Sequence, residues 1–407
     1  MTTLWVVSGG IEAVEGIRLA KQMGLHVVVS DINPQAPGFA LADDRIIAST
    51  YDVEATVAAA QHYHRTVRPI DGVICIAADV PLTVASVAAA LGLPGIPVEA
   101  ARLAADKLAM KCRFAADDVP VPQFSPVESL AHLRRLVAEW GYPLVLKPVD
   151  SRGARGVLRL TPEVNLEWAF ELSRRHSPTG RLMLERFLSG PQVSTESLML
   201  DGVAYTPGFS DRNYEFLERY APHIIENGGD MPSLLPPETQ LAIRRLVQRA
   251  ARSMGITDGV VKGDIVVHQG KPYVIELAAR LSGGYFCTHE IPLNTGVELV
   301  RHAIRLALGE RPAPSDLSVR YLRGVSQRYL FPAPGRVVAI SGVEEVRQHP
   351  AIPFCEIRVA VGDIVGPVDS HPARAGVLIA VADTRQEAQR LATAAVQNIT
   401  IKTVPVN

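Results

Sequence analysis

The sequence predicts a multidomain chain that mixes α/β and α+β architecture: a doubly wound N-terminal unit, a central unit built around two β-hairpins, and a small β-rich C-terminal unit. Three observations carry this. Apolar runs of strand length alternate with helical periodicity through residues 4–91, the pattern of a parallel sheet covered by helices. Two later stretches pair β-rich runs across glycine-containing turns. The segment beyond residue 311 is rich in Val, Ile and Gly and holds one terminal helix, at 385–397.

Composition narrows the class. A chain of 407 residues suits two to four domains, at roughly 100–200 residues each. The net charge of −1, with 47% hydrophobic and 20% charged residues, fits a packed globular enzyme. No basic block or basic-aromatic stripe points to nucleic acid. No apolar stretch is long enough for a bilayer, and the N-terminus lacks a signal pattern, so no membrane partner and a bacterial-type cytoplasmic location are expected. Cys75, Cys112, Cys287 and Cys355 have no paired spacing and read as free thiols in a reducing compartment.

In chain order, 4–8 is an apolar strand, 13–23 a helix, 26–30 a strand ending at Asp31, 72–77 a third strand and 81–91 a helix. The turn Ser8-Gly-Gly-Ile-Glu-Ala-Val-Glu-Gly16 lacks the G-x-G-x-x-G spacing, so a dinucleotide reading of Asp31 fails. At a strand's carboxyl end, that turn either touches a small substrate or serves only the fold. Pro94-Gly-Ile-Pro97 breaks the alternation. Residues 98–116 read as largely helical and carry Asp106-Lys107, prolines keep 119–122 extended, and 129–139 is a helix with Ser129 as N-cap.

The run Leu144-Val-Leu-Lys147-Pro-Val-Asp-Ser151-Arg-Gly153-Ala-Arg-Gly156 follows, and 157–160 is a second strand. A lysine leaving a strand is a point charge at a fixed height. Gly153 and Gly156 allow backbone shapes that turn amides toward an anion, and Arg152 and Arg155 add charge around the turn. The pattern suits a polyphosphate; the alternative is a basic hairpin whose glycines serve only the turn. Then come a helix at 163–174, a strand at 182–188 running into Ser189-Gly190, a strand at 193–200 containing Glu196, and an amphipathic helix at 237–254.

Gly259-Val-Val-Lys-Gly-Asp264-Ile-Val-Val-His268 and Tyr273-Val-Ile-Glu276-Leu-Ala-Ala-Arg280 read as a hairpin, with one acid in each strand. A carboxylate in an apolar strand is costly to bury unpaired. Two on paired strands can share one hard cation such as Mg²⁺, which binds one or two carboxylates plus substrate phosphates. Arg280 falls at the side-chain phase of Glu276 and should face the same cleft. The alternative, two acids on a wet sheet face, sits poorly with the neighbours Val260, Val261, Ile265, Val274 and Ile275. A helix at 297–308 ends at Gly309.

Taken in order, these runs resemble the ATP-grasp superfamily of ligases over almost the entire chain. Ala105-Asp106-Lys107 is similar to its first phosphate-binding lysine, and Lys147-Pro148 with Ser151, Gly153 and Gly156 to its second lysine and lid. Leu184-Glu185-Arg186-Phe187-Leu188 resembles the hinge strand that holds adenine, chiefly through main-chain groups around Glu185, Arg186 and Leu188; Glu196 would meet the ribose, or it is a solvent-facing strand acid. Asp264 and Glu276 resemble the metal-binding acids, and Arg280 the strand-end arginine. Phe331-Pro-Ala-Pro-Gly335 and Val361-Gly-Asp-Ile-Val365 are similar to the C-terminal β-domain of the biotin-carboxylase-like branch. Glu276-Leu-Ala-Ala-Arg280-Leu-Ser-Gly283-Gly284 is most similar to the branch that joins amino acids to one another or to other amines. Two departures stand out: Ala278 replaces an asparagine that is often a further metal ligand, and Gln192 an acid that often follows the hinge glycine.

The resemblance implies a Rossmann-like domain over 1–97, an ATP-grasp domain over 98–310 with a lid over about 140–190, and an α+β domain over 311–407. It implies an ATP- and Mg²⁺-dependent carboxylate–amine ligase working through an acyl phosphate, with an amino acid as substrate and a homodimer as the assembly. Arg280 and Lys147 would be its catalytic residues. Substrate contacts are expected at His223, Glu226, Gly283 and Gly284, with Asp211-Arg212-Asn213-Tyr214, His289, Glu290 and Arg374 as further candidates. His223 would act as a base or orient the acceptor, or it is an ordinary loop histidine. Two other readings are a carboxylase of the biotin or purine kind that activates bicarbonate, and a non-catalytic nucleotide-binding subunit.

Overall fold

All five residues of the strand Thr3–Val7 are buried, so it needs cover on both faces. In the computed structural model, which describes residues 1–406, helices supply that cover. The N-terminal sheet is parallel, in the order Asp44–Ile47, His26–Asp31, Thr3–Val7, Gly72–Ile74. The helices Val14–Gln22, Val53–Thr66 and Pro81–Leu91 accompany it. The edge strand and the middle helix escape a pattern reading for a physical reason. Asp44–Ile47 has no fully buried residue, and Val53–Thr66 buries a face of Thr56, Ala60 and Tyr63 rather than a leucine stripe. Asp31 serves the fold, because its Oδ2 accepts from Gly9 N at 2.9 Å and so holds the first turn.

The long helix expected over 98–116 is two, Val98–Ala105 and Lys107–Ala116. Asp106 between them is extended, and its side chain caps the second helix by accepting from Ala109 N at 2.9 Å. That break puts Lys107 at the first turn of a helix. A second four-stranded sheet is antiparallel, in the order Phe124–Val127, Leu182–Arg186, Leu144–Pro148, Leu158–Leu160. Its apolar face packs on the helices Leu130–Trp140 and Leu166–Arg175, through residues such as Leu133, Leu146, Leu184 and Ala169.

The large sheet has eight antiparallel strands, in the order Lys271–Ala278, Gly259–His268, Gln192–Leu200, Val203–Arg212, Gly229–Met231, Gly324–Leu330, Gly376–Ala382, Phe354–Ile357. It runs from the central segment into the C-terminal one without interruption, through the pairing of Gly229–Met231 with Gly324–Leu330. The strand Val203–Arg212 is absent from a pattern reading because Pro207 and Gly208 interrupt it; the structure takes up the proline in a register shift between Tyr205 and Gly208. Strand alternation sorts this sheet into two faces. Val193, Val261, Ile265 and Leu277 point back onto the helix Pro237–Ser253. Ser194, Ser210, Arg212, Asp264, Glu276 and Gln327 point forward into a cleft.

A three-stranded sheet of Ile364–Val365, Gly335–Ser341 and Thr400–Val404 completes the C-terminal part. The helix Arg385–Asn398 packs Ala392 and Ala395 against Leu330, Leu378 and Ala380 of the large sheet. Among the described residues no helix is long and apolar enough to cross a membrane.

Candidate active site

A cleft of about 680 Å³ lies on the polar face of the large sheet, and every part of the chain lines it. Its basic end is built from Lys107 and Lys147 together with a lysine that local pattern does not single out, Lys111. Lys111 is fully buried one helical turn after Lys107 and donates to Val274 O at 2.8 Å. Glu185 bridges two lysines: its Oε2 lies 2.6 Å from Lys147 Nζ and its Oε1 3.1 Å from Lys111 Nζ. Burial alone would raise the Glu185 pKa, but the two ammonium groups hold it below the ordinary range. Burial pushes Lys111 down to about 8 against the pull of Glu185. The Glu185 side chain is therefore a fixed counter-ion between the two lysines. Arg186, Phe187 and Leu188 line the cleft beyond it, as does Gln192.

Lys107 joins the loop to the acidic hairpin. Its Nζ donates to Ser151 O at 2.8 Å and sits 3.1 Å from Glu276 Oε1. Ser151 and Gly153 line the cleft, and Gly153 O accepts from His371 N at 3.0 Å, so the loop is docked on the C-terminal part. Gly156 does not reach the cleft. Its φ is +71°, and a Cβ there would lie 2.9 Å from His176 Cβ, so it serves the loop's shape.

Asp264 and Glu276 are directly opposed on neighbouring strands and both face the cleft. Asp264 accepts from Ser194 Oγ at 3.1 Å, pairs with Arg212 Nη1 at 2.9 Å, and is also bound by Lys262. Burial would raise its pKa, yet Arg212 and Lys262 hold the carboxyl far below the usual range. Two opposed carboxylates facing a cleft fit Mg²⁺, which completes its shell with phosphates and water. Among the described residues no cluster of three or more His, Cys, Asp or Glu offers a cage made by protein alone. Ala278, where a metal-ligating asparagine would stand, lies opposite Lys262.

Arg280 lies just past the strand Lys271–Ala278 and lines the cleft. Its Nε is 3.3 Å from Asp79 Oδ1 and its Nη1 donates to Leu281 O at 3.1 Å, which leaves Nη2 without a protein partner among the described residues. Gly283 and Gly284 follow on the cleft wall. Gly284 N donates to Glu12 Oε2 at 2.7 Å, and Arg358 holds the other oxygen of Glu12 at 2.7 Å. Gly283 is needed for this approach, since a Cβ there would lie 2.6 Å from Glu12 Oε2. Glu226 lines the cleft on the far side and accepts from Arg212 Nε at 2.9 Å. Arg374 stacks 3.8 Å above the Tyr329 ring and donates to Glu226 O.

Several expected residues lie elsewhere. Glu196 is buried beneath the turn after Arg280 rather than in the cleft: its Oε1 accepts from Ser282 N at 2.8 Å and its Oε2 is bound by Ser282 Oγ. Burial pushes its pKa up to about 7. His223 lies outside the cleft, edge-on to Trp168 with ring centroids 6.3 Å apart. His289 packs against Phe354 at 4.4 Å and Tyr285 at 5.4 Å, also outside. Asp211 accepts from Leu234 N at 2.9 Å and binds Arg385 behind the cleft wall, and Asn213 does not line the cleft either. Arg212, Tyr214, Glu290 and Arg374 do line it. Ser8 and Glu12, from the first turn, line it too, while Asp79, Tyr329 and Arg358 are additions that no sequence motif marks.

Residues 106–313 match the family described as the ATP-binding domain of the carbamoyl-phosphate synthase L chain, and residues 328–404 match L-amino acid ligase C-terminal domain 2. An uncharacterised protein of Sinorhizobium fredii is 27% identical over 399 residues, covering 96% of this chain and 80% of that one. A D-alanine–D-alanine ligase of Gloeobacter violaceus is 28% identical over 200 residues, covering 46% of this chain and 63% of its own length. Among solved structures, an L-amino acid ligase from Bacillus licheniformis has a TM-score of 0.84 at 22% identity, over 99% of both chains. At that identity the likeness is one of fold.

Proposed function

The chain belongs to the ATP-binding-domain family of the carbamoyl-phosphate synthase L chain and is an ATP-grasp ligase; from that premise we propose that it joins the carboxylate of an amino acid to an amine through an acyl phosphate. One observation carries the choice. The segment that matches the L-amino acid ligase domain supplies Tyr329, Arg358 and Arg374 to the cleft wall.

Lys107 and Lys147 would bind the phosphates of ATP, each held at a fixed height by its own carboxylate partner. Asp264 and Glu276 would hold Mg²⁺, which neutralises charge on the transferred phosphoryl group. Arg280, anchored by Asp79 and Leu281 O, would offer its remaining Nη2 to the carboxylate oxygens. A carboxylate oxygen attacks the γ-phosphorus and ADP departs. A neutral amine then attacks the acyl carbon, the carbon–oxygen bond to phosphate breaks, and the amine loses a proton. The loop over 151–156, docked on His371 N, keeps water from an intermediate that hydrolyses readily.

The test is phosphate release from Mg·ATP with a panel of amino acids and amines, set against bicarbonate. Release that requires both a carboxylate and an amine, with an amide as product, supports the proposal. Release driven by bicarbonate alone assigns the chain to the carboxylases instead.

A further inference from the structure

The loop over 151–156 is held at three places, and one hold is unlike the others. Lys107 Nζ donates to Ser151 O at 2.8 Å and His371 N to Gly153 O at 3.0 Å, both ordinary hydrogen bonds. The third hold is Arg152, whose guanidinium makes no hydrogen bond among the described residues. Its carbon stands 4.4 Å from the centroid of the Tyr51 ring, and its Nε lies 3.9 Å from Asp79 Oδ2. Both contacts are attractions that a small movement weakens. All three side chains line the cleft, and Tyr51 and Asp79 come from the N-terminal sheet's side of it. The Tyr51 ring is 60% exposed, yet its turn is fixed. Thr50 O accepts from Thr83 Oγ1 at 2.7 Å, and Asp52 caps the helix Val53–Thr66 by accepting from Ala55 N at 2.9 Å.

Asp79 is shared between two arginines: Oδ1 lies 3.3 Å from Arg280 Nε, and Oδ2 faces Arg152. A β-bridge between Ile76 and Leu281 pins the two segments side by side, so Arg280 stays with Asp79. Arg152 rides on the loop and has no such tie. Burial would raise the Asp79 pKa, but Arg280, Lys107 and Arg152 hold it below the ordinary range, so the group stays charged. An anion arriving at Arg280 takes up part of that arginine's charge. Asp79 is then less compensated and draws Arg152, and the loop with it, toward the N-terminal sheet.

We propose that Tyr51 and Asp79 are positioning residues that latch the loop shut through Arg152 once a carboxylate occupies Arg280, so that carboxylate and nucleotide bind cooperatively. The inference rests on the ligase reading above and deepens it. The coupling is reciprocal: a carboxylate that shuts the loop tightens the nucleotide, and the nucleotide tightens the carboxylate by the same factor. The latch also sets an order. The loop excludes water firmly only when the phosphoryl acceptor is in place, which limits transfer of the phosphoryl group to water.

The full chain is digested with a trace of trypsin in the presence of Mg²⁺ and a non-hydrolysable ATP analogue. Cleavage after Arg155, an exposed loop residue, is followed by mass spectrometry and tracks the open population. The L-amino acid that supports most phosphate release is then added, and in the parent it should slow the cleavage. Tyr51→Leu removes the ring face at an exposed position and leaves the core intact. Loss of an exposed cation–π contact predicts cleavage about 2- to 5-fold faster with the amino acid present. The tightening of the analogue by the amino acid, read by calorimetry, should fall by a similar factor. Tyr51→Phe keeps the ring and should match the parent. Equal cleavage of parent and Tyr51→Leu would overturn the proposal, as would Tyr51→Phe behaving like Tyr51→Leu, or tightening that survives intact in Tyr51→Leu. Weaker analogue binding in Arg152→Met with no effect of Tyr51→Leu would put Arg152 on the phosphates themselves and also overturn it. If bicarbonate alone drives phosphate release, the ligase reading falls, and the same digestion is run with bicarbonate; protection that Tyr51→Leu weakens keeps the latch, and no protection of the parent sinks it too.

Discussion

Glu185→Gln is the sharpest perturbation the structure offers. The change keeps the side chain's size and removes the counter-ion shared by Lys147 and Lys111, at 2.6 and 3.1 Å. Breaking a buried pair by removing one partner costs about 3–5 kcal/mol. A second route gives the same size. Lys111 is fully buried and, without Glu185, is most cheaply housed as the neutral amine. Discarding its proton at pH 7 from the ordinary value of 10.5 costs about 5 kcal/mol. The melting midpoint should fall by roughly 10 °C. The pH dependence is signed. In the variant Lys111 is neutral when folded and charged when unfolded, so the penalty is full at low pH and shrinks as pH climbs toward the lysine range. In the parent protein Lys111 keeps its proton up to about 8. The stability gap should therefore close by about 1 kcal/mol between pH 7 and pH 8. Thermal and urea melts of both proteins at the two pH values measure this. A non-hydrolysable ATP analogue should recover more of the midpoint in the variant than in the parent, because its phosphates give Lys147 a new partner. A variant that melts within about 2 °C of the parent at pH 7 would refute the buried-triad reasoning.

Other outcomes follow from the same geometry. Lys147→Ala should weaken nucleotide binding by about 10- to 100-fold, read by calorimetry; an unchanged affinity would detach the lysine from the phosphates. Glu276→Gln should abolish Mg²⁺-dependent phosphate release while far-ultraviolet circular dichroism stays the same, and retained turnover would remove it as a metal ligand. Arg280→Lys should damage turnover more than ATP binding, because an ammonium cannot bond Asp79, Leu281 O and an anion in one plane; parent rates would contradict this. Glu196 has its pKa raised to about 7, so its contribution is full below the unfolded value of 4.5 and is lost as pH rises through about 7. Relative to Glu196→Gln, the parent should lose on the order of 3 kcal/mol between pH 5 and pH 8 in urea titrations. Parallel pH profiles would show that burial does not perturb this acid.

The fold was legible where single elements carry their own signal. The strand ending in Lys147, the acidic hairpin and the Ser129-capped helix all follow from local pattern, and the hydrogen bond from His132 N to Ser129 Oγ at 3.1 Å is the predicted cap. What the sequence hid depends on partners distant in the chain. Glu185 and Glu196 are both acids in strands, and nothing local says that one will meet two lysines and the other a serine from a turn 86 residues away. Lys111 did leave a trace, since it lies four residues after Lys107 on the same helix and shares its face. The substrate end left one trace, the first turn that carries Glu12. Glu12, Tyr329 and Arg358 come together only because the large sheet continues into the C-terminal segment, a long-range pairing with no local pattern.

The central claim is that a carboxylate is activated by transfer of a phosphoryl group, and one isotope measurement addresses it directly. The amino acid that supports turnover is supplied with heavy oxygen in its carboxylate, and the released phosphate is analysed by mass spectrometry. Acyl-phosphate chemistry predicts that one labelled oxygen leaves with the phosphate for each amide bond formed. Unlabelled phosphate, or label recovered in AMP, would contradict the account.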